Sequence, residues 1–103
     1  MVKFLENLDQ FKEAAKGLMI IDFTASWCPP CKMIGPKFEA LAEASKNGKL
    51  SFFKVDVDVN TKAAQLAGIE AMPTFQVWGQ GKKVAELVGA DEKKLKELVA
   101  KYN

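Results

Sequence analysis

The 103-residue chain has no histidine, and all 15 of its basic residues are lysine. Without histidine, Ser-His-Asp and Cys-His catalysis, HExxH metalloprotease sites and the common zinc fingers are excluded together. Without arginine there is no bidentate fork for guanine or phosphate, and the 15 basic and 13 acidic residues are interleaved at a net charge of +2. No basic run marks a nucleic-acid groove, so nucleic acid is not an expected partner. Long apolar runs are missing too. The longest aliphatic stretch, Leu18 to Ile21, stops at Asp22, far short of the roughly 20 residues that span a bilayer. The opening segment carries Glu6, Asp9 and Glu13 among its apolar residues and lacks the apolar core of a secretory signal. The expectation is a cytoplasmic protein without membrane attachment.

Apolar residues make up 49% of the chain and charged residues 27%, the balance of a folded protein with one hydrophobic core. A single domain over 1–103 is expected. Asn7 followed by Gln10 reads as a capping signal for a helix over 8–16, ended by Gly17. Residues 18–24 form a near-continuous apolar run, which suits a central strand covered on both faces. Met33, Ile34, Phe38, Leu41 and Ala42 trace one face of a second helix running from the cysteines towards Gly48, with Pro36 expected to kink it. Residues 50–57 read as a strand, and strand–helix–strand predicts a parallel pair. Asn60 caps a short helix ending at Gly68. Residues 73–78 and 83–87, joined through Gly79-Gln80-Gly81, predict an antiparallel pair. Asp91 caps a last helix with Leu95, Leu98, Val99 and Tyr102 on one face.

Only two cysteines exist, in the order Trp27-Cys28-Pro29-Pro30-Cys31-Lys32. A structural zinc site wants four ligands, so this chain alone offers half of one. As a staple, a disulfide closing so short a loop is worth about 2 kcal/mol before strain. Two thiols buried by chance at a helix start remain a third plain reading. Redox chemistry accounts for the pattern better. A residue before proline is biased away from the helical region, so Cys28 and Pro29 are expected to be extended and the helix to begin near Pro30. Cys28 then stands at the helix entrance, where unpaired backbone donors and the positive end of the macrodipole favour a thiolate. Cys28 is the candidate nucleophile and Cys31, inside the helix and three residues on, the candidate resolving thiol. Asp22 interrupts an apolar strand. If buried, its carboxyl is held protonated by desolvation and can move a proton during exchange, with Lys54 as charged neighbour; an exposed or simply hydrogen-bonded Asp22 is the plainer alternative. Trp27 reads equally as core or as an exposed docking surface.

The segments IDFTASWCPPCKMIGP, KVDVD, AMPTF and VGA, in that order, resemble the thioredoxin family over nearly the whole chain, and FTASWC and EAMPTF look most like its cytosolic plant h-type members. The resemblance implies an α/β fold with a central mixed sheet of four or five strands flanked by about four helices. It implies that Cys28 attacks, Cys31 resolves, and Asp22 near Lys54 is the buried acid–base residue. It further implies a cis peptide before Pro73, packed against the cysteines, with the backbone of Met72 available to an extended substrate and Trp27, Gly89 and Ala90 completing the docking surface. Substrates would be disulfide-containing proteins and the electron donor a thioredoxin reductase using NADPH, with no nucleotide or metal bound to the chain itself. A monomer is expected, since no third cysteine can link chains. The family's commonest motif is CGPC; here Pro29 stands in place of that glycine, deleting one N–H near Cys28 and stiffening the turn. Two rivals remain open: an oxidant or isomerase on the same fold, and a binding module in which the thiols are incidental.

Overall fold

The computed structural model describes residues 2–103, leaving Met1 outside it. Nine elements follow in order: β1 (Lys3–Phe4), α1 (Leu8–Ala14), β2 (Met19–Thr24), α2 (Pro29–Ala44), β3 (Ser51–Asp56), α3 (Thr61–Ala67), β4 (Thr74–Gly79), β5 (Lys82–Val88) and α4 (Glu92–Tyr102). The five strands make one mixed sheet in the order β1-β3-β2-β4-β5. β3 lies parallel to both β1 and β2, whereas β4 runs antiparallel to β2 and β5. This is the expected α/β architecture, with the apolar run of β2 at the centre.

Alternation along β2 divides the core in two. Met19, Ile21 and Phe23 pack with Phe11, Val55, Ala63 and Trp78 on the α1/α3 face. Ile20 points the other way, into a cluster with Ile34, Phe38, Phe75, Leu95 and Val99 from α2, β4 and α4. A strand has period 2, so Asp22 shares the face of Ile20 and looks towards α2. On β3 the same parity sends Phe52 to the α2 side and Val55 to the other, which places Lys54 on the α2 side, in register with Asp22. The position of the carboxylate follows from the pleat.

Each helix start is capped alike. Asn7, Asn60 and Asp91 accept from the N–H three residues on, at 2.8, 3.3 and 3.1 Å, and Cys28 Sγ accepts from Cys31 N at 3.3 Å. The sulfur thus occupies the place that an Asn or Asp oxygen fills on the other three helices. The hairpin turn between β4 and β5 consists of Gln80 and Gly81, with φ of 54° and 78°, the paired positive values that a two-residue hairpin demands.

Three expectations need correction. α1 ends at Ala14 rather than 16. α2 begins at Pro29, one residue before the expected start: a proline at either of the first two positions loses only an N–H that a helix leaves unpaired there, and Lys32 N closes the first turn on Cys28 O at 3.1 Å. Met33, expected on the buried face of α2, is 56% exposed, because that face is set by Cys31, Ile34, Gly35 and Phe38. β1 completes the five strands that the resemblance allows, though two residues at a sheet edge carry no periodic signal by which to place them. Pro36 lies inside α2, whose helical assignment runs unbroken through it.

Candidate active site

The strand-to-helix junction between β2 and α2 brings the two cysteines together. Cys28 and Cys31 are joined as a disulfide with their Cα atoms 5.2 Å apart. They form a small cluster with Ala25, against which Val57 and Met72 pack. Both residues are buried in this oxidised state, Cys28 at 4% and Cys31 at 2% exposed. With prolines at both Pro29 and Pro30, the Cys31 N–H is the first backbone donor of the helix able to face the Cys28 sulfur.

The rim of the cluster is built by residues distant in sequence. The Met72–Pro73 peptide is cis, and Pro73 O accepts from Gly89 N at 2.9 Å. That bond fastens the segment before β4 to the end of β5, where Gly89 has a φ of 107° that few other residues adopt. Thr74 Oγ1 donates to Ala71 O at 2.6 Å on the other side of the proline. Ala90, beside Gly89, is half-buried against the α2/α4 core. Trp27 is 63% exposed, which decides against the core reading, and its indole N–H donates to Asp58 Oδ2 at 2.8 Å. A large flat ring is thereby held in solvent next to the disulfide.

Behind the disulfide lies a cleft of about 650 Å³ whose walls include Asp22, Cys31, Gly35, Glu39, Lys54 and Asp56. Asp22 is completely buried, and neither of its carboxylate oxygens has a hydrogen-bond partner, the one such case among the described residues. Burial pushes its carboxyl up to about 7, against a smaller downward pull from Lys54 and an upward push from Glu39. The plainer reading of an exposed or hydrogen-bonded Asp22 is therefore overturned. The expected charged neighbour is in place and pulls the Asp22 carboxyl downward. Lys54 stands opposite Asp22 in the β2/β3 register, yet its ammonium is paired with Glu39 Oε2 at 2.8 Å.

Glu39 and Asp58 are the polar contributors that sequence reasoning missed. Glu39 had a readable signal: Cys31, Gly35 and Glu39 recur every four residues on α2 and so share a face. Asp58 had none, being in a turn whose approach to Trp27 depends on the packing of two loops. Among the described residues no group of three or more His, Cys, Asp or Glu side chains could hold a metal ion, and no helix is long and apolar enough to cross a membrane.

Comparisons with known proteins agree on one family. The thioredoxin family model matches residues 2–101. A thioredoxin of Malassezia sympodialis is 43% identical over 104 residues, covering 99% of both chains. An H-type thioredoxin of Chlamydomonas reinhardtii is 55% identical over 96 residues, covering 93% of this chain and 83% of that one. In three dimensions the chain superposes on the crystal structure of the Malassezia sympodialis protein with a TM-score of 0.95, over 99% of this chain and 90% of the other. The Plasmodium falciparum thioredoxin matches with a TM-score of 0.94 at 38% identity, covering 99% of this chain and all of that one. With the cysteine pair capping α2, the cis-proline beside it and the buried carboxylate behind it, this chain belongs to the thioredoxin family.

Proposed function

We propose the following course for the thiol–disulfide exchange that this enzyme catalyses. The reduced protein carries Cys28 and Cys31 as thiols. Cys28, as thiolate at the entrance of α2, attacks one sulfur of a substrate protein disulfide; the substrate S–S bond breaks, a mixed disulfide forms, and the first substrate sulfur leaves as a thiolate that takes a proton from solvent. Cys31 then passes its proton to the Asp22 carboxylate across the cleft, and its thiolate attacks Cys28 Sγ. The mixed disulfide breaks, the second substrate sulfur leaves as a thiolate and takes up the proton released by Asp22, and the enzyme is left as the Cys28–Cys31 disulfide with two electrons transferred. A carboxyl titrating at about 7 suits this work, since it is both a carboxylate and an acid near neutral pH.

The observation that carries this reading is the shared cleft, in which the unpartnered Asp22 and the resolving Cys31 both stand. Lys54 supplies positive charge to that cleft. Pro29 and Pro30 shape the turn that bears Cys28, and Pro73 with its cis bond presents the Met72 backbone to an extended substrate segment. Trp27, Gly89 and Ala90 complete the docking surface. A thioredoxin reductase drawing on NADPH restores the dithiol. The chain acts as a single domain, a monomeric cytoplasmic protein-disulfide reductase of the plant h type, a placing supported by its likeness to the H-type protein of Chlamydomonas reinhardtii and the H4 protein of Arabidopsis thaliana. Oxidant and isomerase roles are the competing use of the same fold.

The test is trapping. Cys31→Ser, mixed with a disulfide substrate, is expected to accumulate a mixed disulfide on Cys28, whereas Cys28→Ser accumulates none; trapping on Cys31 instead refutes the order of attack. Asp22→Asn is expected to slow resolution while leaving the fold intact, and an unchanged rate and pH profile refutes its role. A protein that works unimpaired with both cysteines replaced by serine is a binding module.

A further inference from the structure

Glu39 spends its carboxylate on two strands at once. Oε1 accepts from Val2 N at 2.8 Å, just ahead of β1, and Oε2 holds Lys54 Nζ of β3 at 2.8 Å. The Lys54 ammonium is confined further by the Phe4 ring, 5.9 Å from its centroid, and by α2 itself, since a Cβ at Gly35 would lie 3.8 Å from it. Lys54 therefore points along α2 towards Glu39, while both oxygens of the neighbouring Asp22 go without a partner. A buried carboxylate beside an ammonium ordinarily takes it as counter-ion. Here a second carboxylate has already taken it.

We propose that Glu39 is a positioning residue of the exchange reaction: by clamping the Lys54 ammonium it withholds that cation from Asp22 and keeps the Asp22 carboxyl free to exchange a proton with Cys31. This rests on the acid–base role assigned to Asp22 above. The charged groups that line the cleft are Lys32 and Glu39 from α2 and Lys54 and Asp56 from β3, while β1 contributes Phe4 and β4 sets Phe75 opposite Asp22. Replacing Glu39 removes one negative charge from this set and releases one positive charge within it. Both changes favour the ionised Asp22.

The experiment follows the Asp22 carboxyl directly, by its 13C resonance in the oxidised protein, where neither cysteine titrates. In Glu39→Gln, which keeps the size of the side chain and an acceptor for Val2 N, the titration midpoint is expected to fall from about 7 to about 6. Glu39→Asp should restore part of the difference. In a Lys54→Met background the same Glu39→Gln change should move the midpoint much less, because no cation remains to be released. A midpoint unmoved by Glu39→Gln, or moved equally with and without Lys54, overturns the proposal and leaves the Asp22 role standing. The pH profile for resolution of the trapped mixed disulfide should follow the midpoint. If the midpoint falls and the profile does not, the acid–base role of Asp22 is overturned, and with it the part of Glu39 in the reaction.

Discussion

The isolation of Asp22 has a thermodynamic cost that can be measured apart from catalysis. In the unfolded chain its carboxyl titrates near 3.8, and in the folded protein burial raises this to about 7. The sign follows from proton counts. Below about pH 4 both states are protonated at this site and it costs nothing; as the pH rises the unfolded chain loses its proton first, so the folded state binds the greater number and stability falls with pH. Above about pH 7 the cost is complete, at about 4 kcal/mol, of which about 3 kcal/mol accumulates between pH 5 and pH 9. Asp22→Asn removes the titration and leaves the shape of the side chain. The buried amide also lacks a partner, but that contribution does not depend on pH. Denaturant unfolding of the oxidised proteins at pH 5, 7 and 9 is therefore expected to show the variant gaining on the parent by about 3 kcal/mol across the series. A difference between parent and variant that is the same at pH 5 and pH 9 refutes the claim that Asp22 is desolvated and unpaired.

Two further outcomes come from the local geometry. Pro29→Gly restores a backbone N–H at the first position of α2, so the Cys28 thiolate gains a donor and its alkylation by iodoacetamide at pH 6 should quicken, with a changed reduction potential for the pair; an unchanged rate and potential removes Pro29 from the tuning of the site. Asn60→Ala loses both the cap on Ala63 N and the bond from Nδ2 to Leu5 O at 3.0 Å, and should cost about 2 kcal/mol in denaturant unfolding. A loss below about half of that would show that water replaces the Leu5 contact.

The elements that could be read along the chain are those whose signal is local. Asn7, Asn60 and Asp91 announce helix starts because a short polar side chain can reach the N–H three residues on, whatever the rest of the protein does. The same reach puts Cys28 at a helix entrance once Pro29 and Pro30 are seen to follow it. Period 2 along residues 18–24 and period 3.6 along α4 locate buried faces, and the spacing of Cys28 and Cys31 restricts the pair to thiol exchange, a short structural disulfide, zinc sharing or coincidence. Where a local rule met a competing one, it erred by a residue, as at the start of α2.

What the tertiary structure alone decided is which distant groups meet. That Asp22 is buried without a partner depends on α2 closing over β2. That Lys54 turns from Asp22 to Glu39 depends on Glu39 being one face-repeat beyond Gly35 and within reach of Val2 as well. Trp27 lies exposed rather than in the core, its N–H held by Asp58 from another loop, and Met33 is exposed because the buried stripe of α2 passes beside it. Sequence periodicity reports the backbone's own conformation and which side of it is apolar. The choice of partner for a charge is made by distance and desolvation in three dimensions, to which residues 22, 39 and 54 contribute from three separate elements.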